Sequence, residues 1–315
     1  MTVQSQLTPA PLAHWSIRLG AFAAALVLVA AGLHRLMQFP TPTTINLFRV
    51  GFAFAAVAAL VGAIAVMQIW SGGRSGAWSA CGGIALSLAM FSVPLAYLPA
   101  VLYLPAINDI STDMAQPPTF VALAKARGGT PSSVLYPGEK FAARQRAAYP
   151  DVAPFVVERS VEETFELVAE TVQRLKWKVA AEEPPASNPP KAGIIEASDR
   201  TLILGFTDDV ILRVAGDAQR ARVDMRSASR VGKHDLGQNA QRIRKFYREL
   251  QTRIETTVPM SPLERRRAVA RQQSGGPILK RPTARHPALV GARRKQQDRA
   301  QPDAQRGRAP REKQR

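Results

Sequence analysis

The first 104 residues contain long stretches without a charged side chain, and this feature limits the fold more than any other. This part of the chain has 4 Lys or Arg residues and no Asp or Glu. A helix of about 20 apolar residues crosses the ~30 Å hydrocarbon layer of a membrane. A charge at the centre of that layer costs about 2.5–3.5 kcal/mol. We therefore predict three membrane-spanning helices, at about residues 17–36, 50–70 and 78–104.

The first of these stretches has an alternative interpretation as a secretory signal peptide. A membrane span is favoured because no basic run precedes the apolar segment and two further spans follow it. Small residues recur every fourth position in the spans, at Ala21 and Ala25 and again at Ala55, Ala59 and Ala63. This spacing lets helix backbones approach closely. It predicts packing within a three-helix bundle, or a homo-oligomer through the same helix faces.

Charge divides the rest of the chain into two parts. Residues 105–255 have 22 Lys or Arg and 20 Asp or Glu, whereas residues 256–315 have 16 and 4. The last segment has too little apolar surface to offset its chain entropy, so we predict a disordered basic tail. We thus predict a membrane domain over 1–104, a soluble domain over 105–255 and the tail over 256–315. The single cysteine, Cys81, excludes an internal disulfide framework.

The soluble domain begins with Pro- and Gly-rich sequence, and we expect residues 105–150 to be irregular. Capping boxes then mark two helix starts, Ser160 with Glu163 and Asp235 with Gln238, and each precedes an apolar stripe of helical period. Strand patterns lie between the helices. Two hairpins are predicted there, with Gly193–Ser198 pairing Thr201–Phe206, and with Asp209–Ala215 pairing Arg220–Arg230. The fold class predicted for the chain is an α-helical three-span membrane segment, then an α+β domain with a mainly antiparallel sheet packed by two helices, then the disordered tail.

Four sequence features of this domain resemble one family. They are the run Asn108–Phe120, the step Tyr149-Pro150-Asp151, the turn Gly205-Phe206-x-Asp208-Asp209, and the run VDMRSASRVGKHDLGQNAQRI over Val223–Ile243. Together they resemble the bacterial Domain of Unknown Function 1499 family over about residues 105–253. The resemblance implies a bacterial protein with a hydrophobic N-terminal anchor, and exported members of the family favour a periplasmic domain. It implies no established activity.

The sidedness of the membrane does not follow from basic residues, because Arg18 and Arg74 on one side balance Arg35 and Arg49 on the other. Two acidic residues follow the third span without a basic flank, which favours an external domain. We therefore expect a multi-pass protein of the bacterial inner membrane with a periplasmic domain.

The densest group of polar side chains lies around the last predicted strand and helix. Strand alternation places Asp224, Arg226 and Arg230 on one face, with Ser227 and Ser229 on the other. Guanidinium groups bind anions bidentately, so we predict Arg226, Arg230 and Arg242 as anion contacts. The other members of the polar cluster are Asp109, Asp113, Asp224, Ser227, Ser229, Asp235 and Asn239. The structural alternative is that the arginines pair with Asp224, Asp208 or Asp209 across strands.

The first functional hypothesis is a non-enzymatic envelope module that binds an anionic lipid, glycan or protein partner. One alternative is a membrane-bound hydrolase using Asp113 or Asp224, which requires the carboxylates to converge with a nucleophile. The other is a cytoplasmic domain whose tail binds polyanions. The lipid bilayer is an expected partner of the chain, whereas nucleic acid is not a favoured one. The scattered His14, His34, His234 and His286 suggest no metal site, and no cofactor fingerprint or catalytic residue is predicted.

Overall fold

A computed structural model describes residues 8–187 and 190–258 of the chain. The described residues divide into two units at Tyr247, with residues 8–187 and 190–247 in the first and residues 248–258 in the second. Within the described part of the second unit, threonine hydroxyls donate to backbone carbonyls one turn earlier, as from Thr252 to Arg248 and from Thr256 to Thr252. The tail was predicted over residues 256–315; its first three residues are described, with Thr256 as the last residue of a helix, and residues 259–315 lie outside the described residues.

Three long apolar helices form the N-terminal part of the described chain. They are α1 (Pro11–Met37), α2 (Thr41–Gly72) and α3 (Ala77–Ala96), and the short α4 (Leu98–Tyr103) continues the last one. By length and composition, Pro11–Met37, Thr41–Gly72 and Ala77–Tyr103 can each cross a membrane. Each predicted span lies within one of these helical segments, except that the third span was predicted to include Leu104, one residue beyond the helical segment. Pro94 lies inside α3 just before that helix ends, as expected from a residue that cannot donate a helical hydrogen bond.

The three helices pack through small residues. A Cβ atom on Gly83 would lie 2.5 Å from the carbonyl carbon of Ser16 and 2.7 Å from the backbone nitrogen of Ile17. A Cβ atom on Gly62 would lie 2.6 Å from the Ser16 hydroxyl, which donates to Ala58 at 2.9 Å. Glycine therefore sets the close approach of the helices, as the bundle interpretation predicts.

The bundle uses only part of the predicted small-residue stripe. In α2, Ala55 is fully buried, whereas Ala63 faces outward. The outer surface of the bundle carries large apolar side chains, namely Leu28, Val29, Leu60, Met67 and Leu88. Such a surface fits a lipid environment. Exposed aromatic rings lie near the helix ends at Trp70, Trp78 and Tyr103, which is typical of the membrane interface.

The second part of the fold is an α+β domain, as predicted. Its elements in chain order are β1 (Asp109–Ser111), a 3-10 turn (Lys125–Arg127), α5 (Pro131–Val134), α6 (Glu139–Ala148), β2 (Phe155–Val157), α7 (Val161–Arg174), β3 (Lys178–Glu183), β4 (Ala186–Ser187), β5 (Pro190–Lys191), β6 (Gly193–Arg200), β7 (Thr207–Gly216), β8 (Ala221–Ser229) and α8 (Gln238–Thr256). The main sheet has the order β1-β8-β7-β6-β3, and β2 also pairs with β8. Every one of these pairings is antiparallel.

Helices α7 and α8 cover one face of the sheet. The ring of Phe165 in α7 is fully buried, and a Cβ atom on Gly193 of β6 would lie 2.4 Å from it. From α8, the Tyr247 hydroxyl donates to the carbonyl of Val223 at 2.9 Å. The predicted N-cap of α7 is confirmed, because the Ser160 hydroxyl accepts from the backbone of the third helical residue at 3.3 Å.

The segment between β1 and β2 covers the other face. It is less irregular than predicted, because residues 139–148 form helix α6. It is fixed to the sheet by Glu196 of β6, whose carboxylate accepts from the backbone N–H groups of Val121, Ala122 and Leu123 at 2.8–3.0 Å. Both faces of the sheet are therefore covered, and this explains why charged residues of its strands are buried.

One predicted hairpin is wrong in its register. Strand β6 continues to Arg200, and residues 201–206 form the loop rather than the second strand. The partner strand is β7, which starts at Thr207 and pairs with β6 from Arg200↔Thr207 to Gly193↔Val214. The apolar run of the loop resembles a strand in sequence, but this register leaves no partner for it. The following hairpin, between β7 and β8, turns after Gly216 as predicted.

Candidate functional site

Strand β8 places its charged side chains on the face covered by the segment between β1 and β2. Arg222, Asp224 and Arg226 share this face, as the alternation of a strand requires, and Arg230, the first residue after β8, lies on the same face. They form three ionic clusters along about 27 Å of the strand, from Arg222 to Arg230.

The central cluster contains Arg226, the largest of the fully buried side chains. Its guanidinium donates to both oxygens of Asp109, at 2.9 and 2.7 Å. It also donates to the carbonyls of Pro118 and Val134 at 2.8 and 2.9 Å, and it lies 4.9 Å from the centroid of the Phe120 ring. These hydrogen bonds use four of the five N–H groups of the guanidinium, so Arg226 connects β8 to the covering segment inside the domain.

The second cluster lies at the end of the sheet where β8 begins. Arg213 and Arg222 each donate to Asp113 and to Asp224, at 2.8–3.1 Å. Burial raises the pKa of Asp113, but N–H groups of Gln116 and Ala115 and the two arginines more than offset it, and the net pKa is lowered. The carboxylates of the hydrolase hypothesis thus converge, but both are paired with arginines. Ser227 and Ser229 face the other side of the sheet.

The third cluster lies at the opposite end, where β8 finishes. Arg127 and Arg230 both donate to Asp209, and the hydroxyl of Ser198 also donates to it at 2.7 Å. Asp209 is fully buried and Arg127 nearly so, whereas the Arg230 side chain is 28% exposed. Two guanidinium groups share one carboxylate here, so the cluster has one surplus positive charge.

Arg242 occupies the helix-covered face and has its own ionic partners. Its guanidinium donates to Asp208 at 2.7 Å and Asp199 at 2.8 Å, and also to Asn239 and Ser227. Burial lowers the pKa of Arg242, but the two carboxylates offset it and the net pKa is raised. With only 6% of its side chain exposed, Arg242 fixes α8 to the sheet.

The remaining members of the predicted polar cluster hold the start of α8. Asp235 accepts from the backbone N–H groups of Gly237 and Asn239 at 2.8 and 2.9 Å, which confirms it as a capping residue. Burial raises its pKa, and these hydrogen bonds only partly offset that effect. The amide of Asn239 donates to the hydroxyl of Ser229 at 3.1 Å, and its oxygen accepts from Ser227.

The structure therefore separates the three predicted anion contacts. Arg226 and Arg242 are buried on opposite faces of the sheet, and only Arg230 reaches the surface. Sequence reasoning missed Arg127, because it lies in a segment without a periodic pattern. Among the described residues, no three or more His, Cys, Asp or Glu side chains are grouped so that they could hold a metal ion.

The three apolar helices and the covered antiparallel sheet define a membrane protein that carries a folded α+β domain. The model of the family described as "Protein of unknown function (DUF1499)" matches residues 109–250. This match confirms the resemblance seen in the sequence, and it covers the α+β domain from β1 to most of α8. No curated protein and no solved structure matches the chain.

Proposed function

We propose that this chain is a bacterial inner-membrane protein whose α+β domain is a non-enzymatic module for an anionic partner, with Arg230 as the contact. The observation that carries the proposal is the surplus positive charge of the Arg127–Asp209–Arg230 cluster, combined with the exposure of Arg230. A partly exposed guanidinium can donate to an anion in a charge-assisted hydrogen bond.

The surroundings of Arg230 add to this positive charge. Its backbone N–H donates to the carbonyl of Thr207, and Thr207 pairs with Arg200 on the next strand. Two strand spacings separate Arg200 from Arg230, which is about 10 Å. Both side chains are exposed, as is Lys233 in the loop after β8. We call Arg200, Arg230 and Lys233 the basic edge.

A lipid headgroup is the favoured partner, because the basic edge lies beside the ends of the spans. Arg200 donates to the carbonyl of His34, in the last turn of α1, at 3.4 Å. The ring of His234 lies 3.2 Å from the carbonyl of Leu104, one residue after α4. A glycan or an acidic protein would need to approach the same edge along the membrane surface.

The test compares short-chain phosphatidylglycerol with short-chain phosphatidylcholine, each added to the full chain in detergent and followed by native mass spectrometry. Arg230→Gln is expected to weaken phosphatidylglycerol binding about ten-fold, since one charge-assisted contact contributes about 1.5 kcal/mol. The matched control is Arg222→Gln, an exposed arginine on the same face at the other end of β8. Equal binding by the wild type and both variants would contradict the proposal.

The periplasmic location is a separate part of the proposal. The structure assigns Arg35 and Arg49 to the side of the bundle that carries the domain, and Arg18 and Arg74 to the other side. Fusions of alkaline phosphatase and of green fluorescent protein after residue 258 distinguish the two orientations. Phosphatase activity supports a periplasmic domain, and fluorescence of the second fusion supports a cytoplasmic one.

A further inference from the structure

The loop between β6 and β7 presents two large apolar side chains to the outside of the domain. Leu202 is 86% exposed and Ile203 is 73% exposed. Loops at the ends of hairpins are usually formed by Gly, Asn, Asp, Ser and Pro, because these residues suit turns and hydration. Two adjacent, almost fully exposed aliphatic side chains at such a position indicate a contact with something apolar.

The loop is held in a defined conformation. The backbone N–H of Thr201 donates to the carbonyl of Phe206 at 2.8 Å, and the Thr201 hydroxyl accepts from the N–H of Phe206 at 2.9 Å. Gly205 has φ of +75° and donates to the carbonyl of Thr201, and this backbone conformation suits glycine. The loop therefore presents Leu202 and Ile203 as part of the folded hairpin.

The base of the same loop contacts the end of the first membrane helix. The ring centroids of Phe206 and His34 lie 5.2 Å apart. A Cβ atom built on Gly205 would lie 3.0 Å from Cδ of Arg35. The next residues of α1, Leu36 and Met37, are apolar and exposed. The loop is thus beside the last turn of a helix that is long and apolar enough to cross a membrane.

We propose that Leu202 and Ile203 insert into the interfacial layer of the bilayer that contains the protein's own helices. The partner of these two side chains is the lipid of the leaflet on the domain side, because the base of the loop contacts the end of α1, where apolar side chains are exposed. Insertion of aliphatic side chains into this layer is driven by the burial of apolar surface and reaches about 5–10 Å below the headgroup boundary.

This inference does not rest on the proposed anion contact. Apolar insertion needs no anionic headgroup, so it is expected in zwitterionic lipid and with Arg230 replaced. The two proposals can therefore fail separately.

The test places a nitroxide label at position 203 of the full chain in phosphatidylcholine nanodiscs. The only native cysteine, Cys81, is first changed to Ser, and Ile203→Cys is then labelled. The matched control is Val156→Cys on β2, which is 52% exposed and pairs with Arg222 at the opposite end of β8. Power-saturation spectra measure the access of oxygen and of a water-soluble nickel chelate to each label.

The label at 203 is expected to show a several-fold higher ratio of oxygen access to nickel access than the label at 156. The ratio is expected to stay the same when Arg230→Gln is added. A label at 203 as open to nickel as the label at 156 would overturn the inference, and Leu202→Cys repeats the measurement at the neighbouring position. Circular dichroism melting of each labelled chain verifies that the domain is folded.

Discussion

Replacement of Arg226 by Met is expected to destabilise the domain strongly, because it removes one member of a buried ion pair. The change keeps most of the aliphatic length of the side chain and deletes the guanidinium. Asp109 would then lose its guanidinium partner in a site where its side chain is only 7% exposed. The carbonyls of Pro118 and Val134 would also lose their donor.

The expected magnitude follows from the cost of an uncompensated buried charge. Removing one partner of a buried pair typically costs about 3–5 kcal/mol, out of a total unfolding free energy of about 5–15 kcal/mol. With a urea dependence of about 2 kcal/mol per molar, the unfolding midpoint should fall by roughly 2 M. Asp109→Asn is expected to have a similar effect, because it leaves the Arg226 charge without its carboxylate.

The assay is pulse proteolysis of the full chain in detergent over a series of urea concentrations, which reports the fraction of unfolded domain. The double variant completes a thermodynamic cycle, and its cost should be smaller than the sum of the two single costs by about 1–3 kcal/mol. The matched control is Arg220→Met, because Arg220 pairs with Glu158 at the surface, where both side chains are at least 65% exposed. Its midpoint should not change measurably.

A midpoint for Arg226→Met as high as that for Arg220→Met would refute this reasoning. It would mean that water reaches the Arg226–Asp109 ion pair and that this pair contributes little to the free energy of unfolding. A double variant whose cost equals the sum of the single costs would refute the direct coupling of the two side chains.

Two further predictions concern the membrane bundle and the acidic range of pH. Gly83→Val is expected to lower the thermal stability of the chain in detergent by an amount equivalent to about 1–3 kcal/mol, since the new Cβ would contact the backbone of Ser16; Gly32→Val, where the Cβ has open space, should change the melting temperature little, and equal loss would contradict the packing. Because the pKa of Asp113 is lowered in the folded state, its contribution to stability is present above its unfolded pKa of about 4 and is lost as the pH falls through the folded pKa. The difference in urea midpoint between wild type and Asp113→Asn should therefore be constant from pH 6 to 8 and shrink below about pH 4, and a difference independent of pH would exclude this effect.

The parts of the fold that follow local rules could be predicted from the sequence. Absence of charge gave the three spans, and the capping residues Ser160 and Asp235 marked the two helices that cover the sheet. The sequence of residues 201–206 predicts a strand because it is apolar and partly β-branched, but the same sequence can also form the loop that the structure shows. Only the pairing of β6 with β7 decides between them, and this depends on the register of residues up to 21 positions apart.

The candidate site was harder to predict because its partners are distant in sequence. Asp109 and Arg226 are separated by 117 positions, and Arg127 and Asp209 by 82. A strand pattern shows which arginines share a face, but it does not show that a separate segment covers that face. The burial of Arg226 and the exposure of Arg230, four residues later, therefore emerge only from the tertiary structure.

The pairing of β1 with β8 has a consequence for biosynthesis. Asp109 leaves the ribosome more than a hundred residues before Ala228, its neighbour in the sheet. During that interval the residues of β1 have no strand partner. Contacts between residues that are far apart in sequence form slowly during folding. Strand β1 therefore gains its partner only after β8 has been translated, and a chain truncated before β8 would leave an acidic, unpaired segment attached to the three spans.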